Sequence, residues 1–143
     1  MQFLLTLIIC VFLALSQGAP LKDQYKEDMK QRKVMALECI DQVKIDRKII
    51  EDAMAHPTNL PTDAKYKEFL ACSYKKQKFQ SQDGKILFDN IYSFLERFYE
   101  RGDLRILDNC KIVTGANDGE VAYNTLKCVL HYLFELSSRD DSE

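Results

Sequence analysis

The chain has no tryptophan, only five glycines and three prolines, and two histidines. So few glycines and prolines leave little turn chemistry, and runs of alternating apolar and polar residues are missing. Together these absences argue against a sandwich or barrel of many short strands. Nor is there an Asn-x-Ser/Thr acceptor for glycosylation, an internal repeat or a low-complexity tract. The formal net charge is only −2, with both signs interspersed. That balance argues against nucleic acid as a partner and against strong attraction to anionic membranes. The longest apolar run, at the N-terminus, is about a dozen residues and too short for a comfortable membrane span.

That run, MQFLLTLIICVFLALSQGAP, carries no basic side chain but is followed by small residues at the positions that signal peptidase reads. Cleavage is expected after Gly18, since Pro20 is a poor residue to follow the cut directly. Residues 1–18 are therefore expected to be a leader and 19–143 a single secreted domain; a buried first helix is the competing reading. The remaining ~125 residues suffice for one modest core.

Cys10 leaves with the leader, so the mature chain keeps Cys39, Cys72, Cys110 and Cys128. In the oxidising compartment that secretion implies, an even set of cysteines points to two disulfides. A zinc site is disfavoured, because no two cysteines stand at the short spacing such sites use. No metal or other cofactor is expected.

Helical periodicity recurs along the chain. A first helix, from about Lys22 to Val43, places Tyr25, Met29, Ala36, Ile40 and Val43 on one side, with Met35 and Leu37 beside them. Asp46 can cap a short second carrying Ile49, Ile50, Ala53 and Met54, which stops at His56-Pro57. HPTNLPTD is then a loop, and Thr62 or Asp63 starts a third helix bearing Tyr66, Phe69, Leu70 and Tyr74. After SQDGK, a fourth carries Leu87, Phe88, Ile91, Leu95 and Phe98 and is expected to end at Gly102 in the C-terminal glycine position. Asp103 caps a short fifth helix reaching Cys110. A sixth runs from Gly119 to about Leu136, with Ala122, Leu126, Val129, Leu130 and Leu133 inward. The expected class is all-α: about six helices in a compact bundle.

Catalysis finds little support. His56 sits beside a proline, His131 lies on the last helix near Tyr132, and no serine or spare cysteine is placed by sequence as a nucleophile. The protein is not expected to be an enzyme.

The cysteine spacing resembles that of the insect odorant-binding proteins, the pheromone-binding and general odorant-binding group. Full members have six cysteines, paired first to third, second to fifth and fourth to sixth. Here Cys39, Cys72, Cys110 and Cys128 take the first, third, fourth and sixth places. The second place, four before Cys72, holds Glu68; the fifth, nine before Cys128, holds Gly119. The two missing cysteines are each other's partners, which is the pattern of the four-cysteine Minus-C branch. The resemblance covers the whole mature chain. It implies bridges Cys39–Cys72 and Cys110–Cys128, each stabilising by about 3–4 kcal/mol in the chain-entropy picture. It also implies a helical cup around a hydrophobic cavity that holds a small apolar molecule. Between helices three and six, where the second bridge of six-cysteine members would lie, Glu68 is expected either near the free amides that open helix six or simply pointing into water.

Leu70, Tyr74, Leu107 and Val129 match cavity-lining positions in the family by their offsets from the cysteines, and Tyr74 is the expected polar contact. Met35, Phe88, Ile91, Leu95, Leu126 and Leu133 join them on stripe geometry, which serves plain core equally well. The tail SSRDDSE is too polar to enter an apolar cavity, so no tail-driven switch is expected. The resulting expectation is an extracellular carrier for an odorant, pheromone, other semiochemical or lipid, a monomer or weak homodimer with a chemosensory receptor as a candidate partner. The alternative is a secreted helical interaction protein of salivary, venom or signalling type, acting through its surface on a receptor or host protein.

Overall fold

The structure, a computed structural model, describes the backbone of residues 2–142 and the side chains of residues 23–142. The expected leader over 1–18, its cleavage after Gly18 and Cys10 lie outside the fully described residues. Among the described residues there are six helices and no strand: α1 (Gln2–Val43), α2 (Arg47–Ala55), α3 (Ala64–Lys76), α4 (Phe88–Leu95), a 3-10 segment (Asp103–Ile112) and α5 (Asp118–Asp140). Two compact units divide within α1, Met1–Val34 and Met35–Glu143. The first is helical and carries an Arg32–Asp28 ion pair of 2.9 Å, one turn apart. The second contains everything described below.

The helix boundaries follow from local chemistry. Asp46 accepts from the Lys48 amide at 2.9 Å as expected, and of the two candidates for α3 it is Asp63, not Thr62, that caps, accepting from Lys65 and Tyr66 at 2.7 and 3.3 Å. With glycine scarce, α1 and α3 end on lysines in the left-handed region, Lys44 at φ 59° and Lys78 at φ 63°. The last carbonyl of α1, at Val43, accepts from Lys65 Nζ at 3.1 Å, a cation at the negative end of a helix. Gly84, at φ 94°, turns the chain between Gln80 and Ile86, which form one antiparallel bridge.

Two expectations are corrected. The fourth helix stops at Leu95 rather than near Gly102; the chain tightens there, with Glu96 N–H donating to Tyr92 at 2.8 Å and Phe98 N–H to Leu95 at 2.9 Å. Phe98 falls outside the helix and is half exposed, and Gly102 adopts right-handed helical angles ahead of the 3-10 segment, not a left-handed cap. The expected fifth helix is this 3-10 turn.

Two hydrophobic clusters fill the second unit. One gathers Cys39, Ile45, Ile50, Tyr66, Phe69, Leu70, Ala122 and Tyr123 from α1, α2, α3 and α5. The other gathers Phe79, Ile91, Leu95, Leu104, Leu107, Cys110 and Val129. Tyr74 packs against both. The disulfides Cys39–Cys72 and Cys110–Cys128 both form, each with Cα atoms 5.8 Å apart. One staples α1 to α3 and the other the 3-10 segment to α5.

Candidate functional site

On α5, Tyr123, Lys127, Leu130, His131, Phe134 and Ser137 recur every three or four residues, so they share one stripe of the helix. Opposite stands the loop after α2, with Pro57, Thr58, Asn59, Leu60 and Thr62, and beside it Tyr99. With Leu133 these residues line a pocket of about 560 Å³. That volume suits a small organic ligand. The buried Tyr123 donates its hydroxyl to the Leu60 carbonyl at 3.4 Å, tying the loop to α5.

The lining is part apolar and part polar. Leu60, Leu130, Leu133, the exposed Phe134 and the two tyrosine rings supply the apolar part; Thr58, Asn59, Lys127, His131 and Ser137 supply the polar part. No aspartate or glutamate lines it. His131 is exposed, lies against Tyr132 with ring centroids 5.1 Å apart, and sets Nε2 3.2 Å from Glu135 Oε1. Lys127 Nζ stands 5.9 Å from the centre of the Tyr123 ring, and Lys67 Nζ stands 4.9 Å from the same ring. Tyr66 meets Tyr123 edge-on; burial first, and the neighbouring phenol second, push its hydroxyl up to about 12.

Of the residues expected from the sequence to contact a ligand, Leu133 lines this pocket. Leu70, Ile91, Leu95, Leu107 and Val129 are buried in the two clusters, Leu107 completely. Leu126 packs partly buried on the first cluster and Phe88 on the second. Tyr74 is half-buried, edge-on to Phe79 at 5.8 Å, and burial raises its hydroxyl pKa. Met35 faces a different, polar cleft with Glu38, Lys75, Lys76 and Lys78. The described residues do not show the enclosed cavity that the resemblance implies. Sequence reasoning passed over the 57–62 loop because it reads only as a connector. Lys127 and His131 stand on an otherwise ordinary amphipathic helix, and only the loop opposite marks them out.

Glu68 and Gly119 line one surface cleft between α3 and α5. Glu68, however, does not serve the α5 amides: it is exposed and sits 3.7 Å from Lys65. Asn117 caps α5 instead, accepting from the Glu120 amide at 2.9 Å. Cross-helix pairs Lys67–Glu120 (2.8 Å) and Lys75–Asp118 (2.6 Å) tie the start of α5 to α3. Asp118 also accepts, at its backbone carbonyl, from the buried Gln80 side chain at 3.2 Å. Among the described residues no cluster of three or more His, Cys, Asp or Glu could hold a metal ion. No helix among them is long and apolar enough to cross a membrane.

The model of the PBP/GOBP family matches residues 19–132. The chain belongs to that family. This is a binding and carrier family of helical, disulfide-linked odorant-binding proteins, which places the protein among small-ligand carriers. Among solved structures, the chain is similar to the fatty acid binding protein OBP56a from the oral disk of the blowfly Phormia regina. The TM-score is 0.64 at 22% identity, over 76% of this chain and 94% of the blowfly chain, so the likeness is one of fold. No curated protein matches the sequence.

Proposed function

We propose that the protein is a secreted carrier that takes a small hydrophobic molecule into the pocket between the 57–62 loop and α5. The observation that carries this reading is the pocket itself, ligand-sized and lined by Leu60, Leu130, Leu133 and Phe134 within a family of carriers. The blowfly relative's title names a fatty acid, which favours a ligand with an extended apolar body. Secretion rests on the leader pattern over residues 1–18, with 19–143 as the mature domain. Leu133 would touch the ligand, while Leu70, Leu107 and Val129 would hold the helices that shape the wall. Delivery to a chemosensory receptor, by a monomer or weak homodimer, completes the proposal.

Burying most of a ligand of modest size would give affinity in the range of about 1 μM without a covalent or metal anchor. Titration with a neutral fluorescent naphthylamine probe, followed by displacement with apolar volatiles and lipids, tests it. Saturable binding near that concentration is expected, and mass spectrometry of protein from its native fluid should recover a bound apolar compound. No saturable binding of any probe would overturn the carrier reading in favour of a protein acting through its surface.

A further inference from the structure

We propose that Lys127, one turn before His131 on α5, makes this pocket prefer amphiphiles with a carboxylate head over neutral ones of equal chain length. The inference rests on the carrier reading and adds the sign of charge that the site selects. Its basis is the distribution of charge around the pocket. Acidic residues outnumber basic ones in the chain, 22 to 20, yet the lining contains a lysine and a histidine and no carboxylate.

Several lysines elsewhere in this unit stand beside carboxylates. Lys67, Lys75, Lys76 and Lys111 each stand within 2.6–3.1 Å of an Asp or Glu oxygen. Lys127 has no carboxylate within ion-pair distance among the described residues; its ammonium lies off the Tyr123 ring. The neighbouring His131 is already paired with Glu135, so Lys127 is the cation left for a ligand.

Four residues along a helix carry these two side chains about 6 Å apart on one edge of the stripe. Leu130 and the exposed Phe134 add apolar lining beside them. A chain lying along that lining would bring a terminal carboxylate to Lys127, with Thr58 and Asn59 on the loop opposite. A charge-assisted hydrogen bond formed as the chain excludes water is stronger than the same contact left in solvent. An alcohol or ester would gain only the apolar contact.

The test measures displacement of the neutral naphthylamine probe by dodecanoate, dodecanol, methyl dodecanoate and dodecylammonium. It is run on the intact protein and on Lys127→Met and Lys127→Glu, with circular dichroism checking each fold. Dodecanoate should bind about fivefold more tightly than dodecanol, as a partly exposed ion pair allows. The preference should shrink with added salt, vanish in Lys127→Met, and pass to dodecylammonium in Lys127→Glu. Equal affinity for acid and alcohol in the intact protein, or a preference untouched in both variants, would overturn the headgroup assignment while leaving the carrier reading standing. Failure of the probe itself to bind would overturn both.

Discussion

Gly119 lies directly against the backbone of Lys67: a Cβ at Gly119 would stand 3.0 Å from the Lys67 carbonyl oxygen and 3.1 Å from its carbon. Helices α3 and α5 therefore meet with almost no spacer where six-cysteine relatives are expected to carry a disulfide. Because the opposing atoms are helix backbone, they yield little. Gly119→Ala should gain up to ~1 kcal/mol of helix propensity but lose ~1–3 kcal/mol to overpacking, so a net loss is expected in urea unfolding.

The same closeness supports a cross-link. Glu68→Cys with Gly119→Cys should oxidise in air and raise the melting temperature, since the two positions line one cleft between adjacent helices. Strain from the Gly119 side chain will take back part of the gain. Cysteines that stay reduced in a folded protein would contradict the register between α3 and α5.

The Lys67–Glu120 and Lys75–Asp118 pairs occupy the ground the missing bridge would have held, but by a weaker force. Removing either with Lys67→Met or Lys75→Met should cost about 1 kcal/mol, against about 3 kcal/mol for a disulfide closing a comparable loop. Salt should narrow the gap between variant and parent. A double-mutant cycle with Glu120→Gln or Asp118→Asn isolates each pair.

Burial and the neighbouring Tyr123 raise Tyr66 from 10.0 to about 12. The raised value means that the folded protein holds its proton after the unfolded chain has lost it. The associated stability is complete below pH 10 and drains away as pH climbs from 10 towards 12. Alkaline unfolding followed by tyrosinate absorbance should begin in that window. Tyr66→Phe should flatten the dependence there.

Much of this architecture was legible because it depends on neighbours in sequence. Periodicity located α2, α3 and α5, and Asp46 and Asp63 cap as their side chains dictate. The bridges followed from cysteine spacing read through the family resemblance. The end of α4 did not follow, because Phe98 continues the stripe of Ile91 and Leu95 while the chain has already turned away. Leu104, Ile106 and Leu107 fit a 3-10 turn as well as an α-helical one. The pocket was the least legible feature: it needs Leu60 beside α5, where the Tyr123 hydroxyl, sixty-three positions away, donates to its carbonyl.

Buried faces and pocket walls were indistinguishable by pattern, and substitution separates them. Leu70 and Val129 are each 6% exposed, in different clusters, whereas Leu130 faces the pocket and is only partly buried. Leu70→Trp or Val129→Trp must force extra volume into closely packed surroundings, at about 1–3 kcal/mol. Leu130→Trp has open space before it and should fill the pocket instead, lowering probe affinity about tenfold, or 1.4 kcal/mol, with little change in melting temperature. The comparison reads out where the ligand lies. If Leu70→Trp or Val129→Trp abolishes binding in a protein of undiminished stability while Leu130→Trp binds normally, the ligand occupies the helical interior and not the pocket beneath the 57–62 loop.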